Sequence, residues 1–350
     1  MHPFAHLDVI LLPSGCMIFT GNRCLRWTNL VFRIVYIFVT VVIAVMHVNS
    51  AIVLGGRRPI LKLLHFSSTL FHWCFVVVLM RSRGRMAESL SRGLSDLSSE
   101  QRTVLERQSL RCFLAYLLIR LVDVSAAVVH VYSTPASLMH TVSHVLKEWR
   151  ETTPWLVAGA LIYCFFVRVI RLREESFFAR LWLHEEASAA TGGKSDATDW
   201  AHERWLLDSE RKDLLSTLSL TPVLWFAHII LQTSAAVMDA VDSSNTKAER
   251  VTTLLPLASQ SLVLLFLVCL CDSTTRFLRQ ESSRFSAQAA RTQRLEQLRP
   301  LLKQLKHSSR REFTASSFFD LNRRFLLSFA SSLVTFTVLF IQIASHIKNP

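Results

Sequence analysis

Apolar residues in this chain run in blocks that are too long for the helices of a globular core. Seven blocks stand out, at 30–54, 60–80, 112–133, 154–170, 218–238, 251–271 and 325–347. About 20 apolar residues wound as a helix cross a hydrocarbon layer of roughly 30 Å. Backbone groups in lipid must be paired within their own segment, so each block predicts a helix. No repeated alternation of apolar and polar residues marks barrel strands. The pattern predicts an all-α, polytopic membrane protein with seven transmembrane helices and helical extensions beyond the membrane. The second block is unusual in holding Lys62, His65 and His72, and the fourth is short.

The polar segments between blocks are patterned too. Residues 91–111 have helix-forming composition with mixed charge. Residues 171–186 continue the fourth span, with Phe177, Phe178 and Trp182 among charged neighbours. The small and polar run from Ala190 to Asp199 contains Gly192 and Gly193 and breaks that helix, which resumes at Trp200. Beyond the sixth span, Leu295, Leu298, Leu301, Leu302 and Leu305 share one helical face, with basic residues opposite. Such a stripe suits a membrane surface or calmodulin. Packing against the other extensions is the plainer expectation. The chain divides into a cytoplasmic N-terminal segment (1–29) and a bundle of six spans with their extensions (30–272). Anchor helices (273–324) and the last span with a short external tail (325–350) follow.

Charge sets the expected orientation. The N-terminal segment and the loops after spans two, four and six carry 2, 7, 7 and 12 Lys and Arg residues, 28 in all. The alternate segments carry seven: Arg57, Arg58, Lys147, Arg150, Lys247, Arg250 and Lys348. Positive charge favours the cytoplasmic side, so the N-terminus is expected inside and the C-terminus outside, in the plasma membrane. The formal net charge of +13 follows from that asymmetry, so nucleic acid is not an expected partner. None of the seven cysteines falls in an expected external loop, so no extracellular disulfide is predicted. Cys269 and Cys271 have no ligand partners at metal spacing, and no metal or cofactor site is predicted. Residues 7–19 are apolar but interrupted at Pro13, Ser14 and Gly15, with no Lys or Arg before them. The first span is therefore expected to act as an uncleaved signal anchor.

The last span carries the clearest chemistry. Counted every 3.5 residues, Ser328, Ser331, Thr335, Val338, Gln342 and Ser345 fall on one face, and five of these six are polar. Phe329, Leu333, Phe336, Leu339, Phe340 and Ile343 fall on the others. A polar stripe on a membrane helix needs water or a partner helix. It is either the wall of a pore or a seam between helices. Hydroxyl and amide groups repeated around an axis replace part of a cation's hydration shell. No acidic residue follows Asp320, so no carboxylate ring sits in this helix. Weak discrimination among monovalent cations is expected, with calcium as a further candidate permeant.

Within the same span, Thr335-Phe336 is followed after five residues by Gln342-Ile343. This resembles the signature of the final helix of the insect gustatory receptor family: Thr-Tyr, five hydrophobic residues, Gln-Phe. Thr335 and Gln342 match, while Phe336 stands for Tyr and Ile343 for Phe. The approach Phe318 to Ser328 also looks like that of the family. The resemblance implies a ligand-gated, non-selective cation channel in which four subunits each contribute this helix to one pore. It further implies an intracellular anchor domain built from the extensions and opening by movement of the seventh helix. Gln342 and Ile343 would sit at the outer constriction. Ile343 keeps an apolar plug but makes it smaller. Phe336 removes a phenolic hydroxyl.

The family's ligand pocket opens outward among the earlier spans. In the outer halves here, Asp123, His130, Tyr132, Trp155, Tyr163, Gln232, Asp239 and Gln260 are the candidate contacts for a small-molecule tastant. Tyr132 and Trp155 equally suit interfacial anchoring. Arg120 and Asp123 are spaced to pair on one helical face. Membrane lipid and three further subunits, alike or different, are the other expected partners.

Other classes fit less well. A G-protein-coupled receptor has seven spans but the opposite orientation. No Asp-Arg-Tyr element follows the third span, and no Asn-Pro-x-x-Tyr lies in the seventh. A secondary transporter would show internal repeats and broken helices. No nucleophile elbow, His-Glu-x-x-His or phosphate loop occurs, so an enzyme is not expected. The nearest rival is an odorant-receptor-type subunit that needs a partner.

Overall fold

A computed structural model describes residues 97–133, 154–191, 197–218, 220–241, 247–292, 295–309, 313–315 and 319–348. It also describes 84–88, 90–94 and the positions 27–28, 30–31, 34–35, 37–38, 41, 67, 70, 74, 77–78 and 81, all helical. The elements run α1 (Ser99–Ser133), α2 (Pro154–Thr191), α3 (Ala197–Leu218), α4 (Leu220–Val241), α5 (Lys247–Arg291), α6 (Arg299–Ser309), β1 (Thr314–Ala315), β2 (Phe319–Asp320) and α7 (Arg323–Lys348). Helices α1, α2, α5 and α7 contain the third, fourth, sixth and seventh predicted spans, and α4 holds the fifth except for its first two residues. The first two spans lie largely outside the described residues.

Local sequence explains where these helices begin. Ser98 and Gln101 form a reciprocal cap on α1: the Gln101 amide donates to Ser98 Oγ at 3.2 Å and the Ser98 amide to Gln101 Oε1 at 3.1 Å. α2 opens on Pro154, whose missing N–H costs nothing at a helix start. α7 is capped by Asn322, whose Oδ1 accepts from the Phe325 amide at 3.0 Å.

Helix length separates the membrane-sized part from the extensions. At 1.5 Å per residue, the 38 residues of α2 and 45 of α5 reach roughly 57 and 68 Å, far beyond a ~30 Å hydrocarbon layer. α1 likewise begins at Ser99, well before the apolar block at 112–133. Two described helices hold stretches long and apolar enough to cross a membrane, Leu220–Val237 in α4 and Leu257–Arg291 in α5.

The buried apolar residues form two clusters stacked along these long helices. One gathers most of the apolar residues between Val157 and Leu172 of α2, Trp225, Phe226 and Ile229 of α4, and Val263, Leu264, Leu267, Val268 and Cys271 of α5. The other is built from Phe177, Phe178 and Leu181 of α2, Leu278 and Phe285 of α5, Leu298 just before α6, and Leu301 and Leu305 within it. The leucine stripe around α6 thus packs largely against the other extensions. Leu295, before the helix, stays exposed.

Two details depart from the sequence reading. Helix resumes at Ala197, because Ala197 and Ala201 are small enough to pack in the second cluster. The link between α6 and α7 is not purely helical. Thr314 pairs with Asp320 and Ala315 with Phe319, antiparallel. The flanking Phe313 and Leu321 are buried in the first cluster and joined by a backbone hydrogen bond, Leu321 N to Phe313 O, of 2.6 Å.

Candidate functional site

α7 docks through one face only. Phe325, Leu326 and Phe329 are half-buried and pack on the first cluster, and Leu333 and Thr337 further along the same face are half-buried too. Phe226 of α4 sits against two of them. Its ring centroid lies 4.4 Å from that of Phe325 and 5.1 Å from that of Phe329, both edge to face. Phe325 and Phe329 stack on each other at 5.8 Å. Such pairs fix orientation as well as burying area. They set the rotation of α7 about its axis.

That rotation turns the polar stripe outward. Ser328, Ser331, Thr335, Val338 and Gln342 are all exposed on the subunit. At about 100° per residue the stripe is centred roughly 180° from the docked face. Ser332 Oγ donates to Ser328 O at 2.9 Å and Thr335 Oγ1 to Ser331 O at 3.0 Å. A hydroxyl whose proton is given to its own helix presents only oxygen lone pairs outward. That is the polarity a cation needs. Apolar Leu327, Val334 and Ile341 flank the stripe and are exposed too. Ile343, Ser345 and Phe340 lie within the helical backbone of α7, and their side chains are outside the described residues.

The first turn of α7 is held by charge. Asp272 near the middle of α5 is almost buried. The Nε atoms of Arg323 of α7 and Arg276 of α5 each lie 3.0 Å from its Oδ2. Nearby, Arg211 is buried with its guanidinium carbon 5.2 Å from the ring centroid of Phe313. Deeper in the extensions, Arg204 and Glu174 form an ion pair, both almost wholly buried. Arg204 also donates to Ser308 Oγ, which donates in turn to Asp208 Oδ1 at 3.0 Å. This chain ties α2, α3 and α6 together. Arg173 with Glu210 and Arg180 with Glu203 add two more α2–α3 pairs. The partners on different helices lie 23 to 104 residues apart, and nothing local in the sequence announces them.

The candidate ligand contacts are only partly placed. Asp123, His130, Tyr132, Trp155 and Asp239 lie in helical backbone, and their side chains are outside the described residues. Tyr163 and Gln260 are buried and Gln232 is half-buried. Tyr163 Oη has no hydrogen-bond partner among the described residues. Two cavities of about 30 and 110 Å³ lie between α2 and α3, with Leu90 and Gly93 closing the smaller. None of the eight candidates lines them. Their arginines are matched by Glu174, Glu203, Glu210 and Asp213.

No family model matches the chain, and no curated protein is similar to it in sequence. The solved structure of the insect olfactory receptor OR5 from Machilis hrabei, in complex with eugenol, aligns with a TM-score of 0.71. The alignment covers 97% of this chain and 97% of that one at 12% identity. The chain has the fold of an insect olfactory receptor. The likeness is carried by architecture, since 12% identity leaves few side chains in common. It makes the chain an all-α polytopic membrane protein of that fold.

Proposed function

We propose that this protein is an insect chemoreceptor of the gustatory type, a ligand-gated, non-selective cation channel. Four copies of α7 surround the pore in this reading, and the channel opens by movement of that helix. One observation carries it: the polar stripe of α7 faces away from its own subunit, opposite the Phe226 contact. A helix–helix seam within the subunit would need that stripe buried. Water or a neighbouring subunit suits it as found. The receptor fold supports the class. The Thr335 and Gln342 spacing supports the gustatory branch. In this reading the N-terminus is cytoplasmic, the C-terminus is external, and α6 with the second apolar cluster belongs to the intracellular anchor.

A small-molecule tastant reaches the earlier spans from outside, near Tyr163, Gln232 and Gln260. Monovalent cations permeate, with calcium alongside them. An odorant-receptor-type subunit is the second reading, favoured by the olfactory receptor whose fold the chain shares. Expression in oocytes tests both. A tastant panel is applied to the chain alone, with eugenol added because the similar receptor was solved with it. Cation currents from the chain alone support the gustatory reading. Currents only with a co-receptor support the odorant reading. Silence in both arms, with protein at the surface, contradicts the channel.

A further inference from the structure

The Asp272 contact is unusual in its asymmetry. The carboxylate side chain is 12% exposed, while Arg276 and Arg323 are 58% and 63% exposed. Both guanidinium groups approach the same oxygen, and Oδ2 accepts no aligned hydrogen bond. The attraction is therefore Coulombic and only loosely directional. Removing the sole partner of a desolvated carboxylate is costly. Here that cost is avoided. If Arg323 leaves, Arg276 stays, four residues along the same helix as Asp272. The other packing contacts of the first turns of α7, Phe325 and Phe329 on Phe226 and Leu326 on the first cluster, are apolar and hold the helix by burial, not by charge. Arg323 and Arg324 are the only charged residues of α7 before Lys348, so the pair is the charged handle on this helix.

We propose that Asp272 is a releasable clamp on α7, in which Arg323 lets go as the helix moves while Arg276 holds the buried charge. The inference rests on the channel reading and deepens it by naming what restrains the pore helix. It assigns opposite roles to two arginines that touch one atom. Loss of Arg323 frees α7. Loss of Arg276 makes release leave Asp272 with neither of the two arginines that touch it, so α7 is held harder.

The test uses the full chain in intact cells with Thr335→Cys as reporter. A membrane-impermeant maleimide is the probe, and labelling of the chain without the added cysteine is subtracted. Arg323→Gln and Asp272→Asn should change the labelling rate in the same direction, by about three- to fivefold, the size of effect expected of a half-exposed ion pair. Their combination should change it no further. Arg276→Gln should change it the opposite way, and Arg323→Lys should return it to the parent rate. Labelling that is present but unaffected by Arg323→Gln overturns the clamp alone. So does additivity in the double variant, or a shift of Arg276→Gln in the same direction. Thr335→Cys that labels in none of these backgrounds contradicts the water-facing stripe itself, and the clamp falls with it.

Discussion

Phe226 and Phe329 meet edge to face, with ring centroids 5.1 Å apart and planes at 63°. This contact decides which side of α7 faces the bundle. Everything proposed for Ser331, Thr335 and Gln342 depends on that choice. Phe329→Ala should therefore lower stability by about 2 kcal/mol, below the 3–5 typical of a fully buried Phe because this one is half-buried. Phe336→Ala, on the same helix but exposed, should cost within about 0.5 kcal/mol. Thermal midpoints of the detergent-purified chain compare the two. Equal losses would mean that α7 is not docked through Phe329.

The buried Arg204–Glu174 pair gives a second prediction. Replacing Glu174 with Ala strands a buried guanidinium and should cost about 3–5 kcal/mol. Replacing both partners with Met should cost distinctly less, since the two opposite charges leave together and Ser308 keeps its bond to Asp208. Thermal melts of the two variants decide it. A double variant as unstable as Glu174→Ala would show that the cost lies in shape and not in charge.

Much of the architecture is legible from residue order because lipid-scale apolar blocks admit few alternatives. Residues 154–170 and the charged run 171–186 read as one helix, and α2 is continuous through both. The leucines in and just before α6 read as a packing face, and Leu298, Leu301 and Leu305 are buried. Arg204 was not legible. It sits in a helix of acidic and basic residues that reads as solvated, and its partners come from 30 and 104 positions away. Asp272 reads as the polar end of a span, and nothing local announces Arg323. The two-residue strands are too short to carry a pattern. Tyr163 and Gln260, picked by depth along a span, are buried, but depth alone cannot show which candidates share one pocket.

Topology gives a third prediction, from the 28-to-7 division of basic residues. A tag after Pro350 should stain on intact cells, and a tag before Met1 only after permeabilisation. Reversed staining would remove both the orientation and the anchor assigned to α6.

The apolar position beside Gln342 gives a fourth. A narrow apolar ring stops ions because a cation stripped of water there finds no ligand. Ile343→Ser should raise current in the absence of any tastant while leaving cation selectivity unchanged. Surface biotinylation controls for expression. Well-expressed Ile343→Ser channels as silent as the parent would move the gate to Val338, the exposed apolar residue within the stripe.

The central claim is that the outward face of α7 lines the path of the ions. Single cysteines at Thr335 and Gln342, and at Phe329 and Leu333 on the docked face, test it most directly when cation current is recorded during exposure to a membrane-impermeant thiol reagent. The account predicts irreversible block at Thr335 and Gln342, and current unchanged at Phe329 and Leu333. Block at the docked pair, or the same response at all four positions, would contradict it.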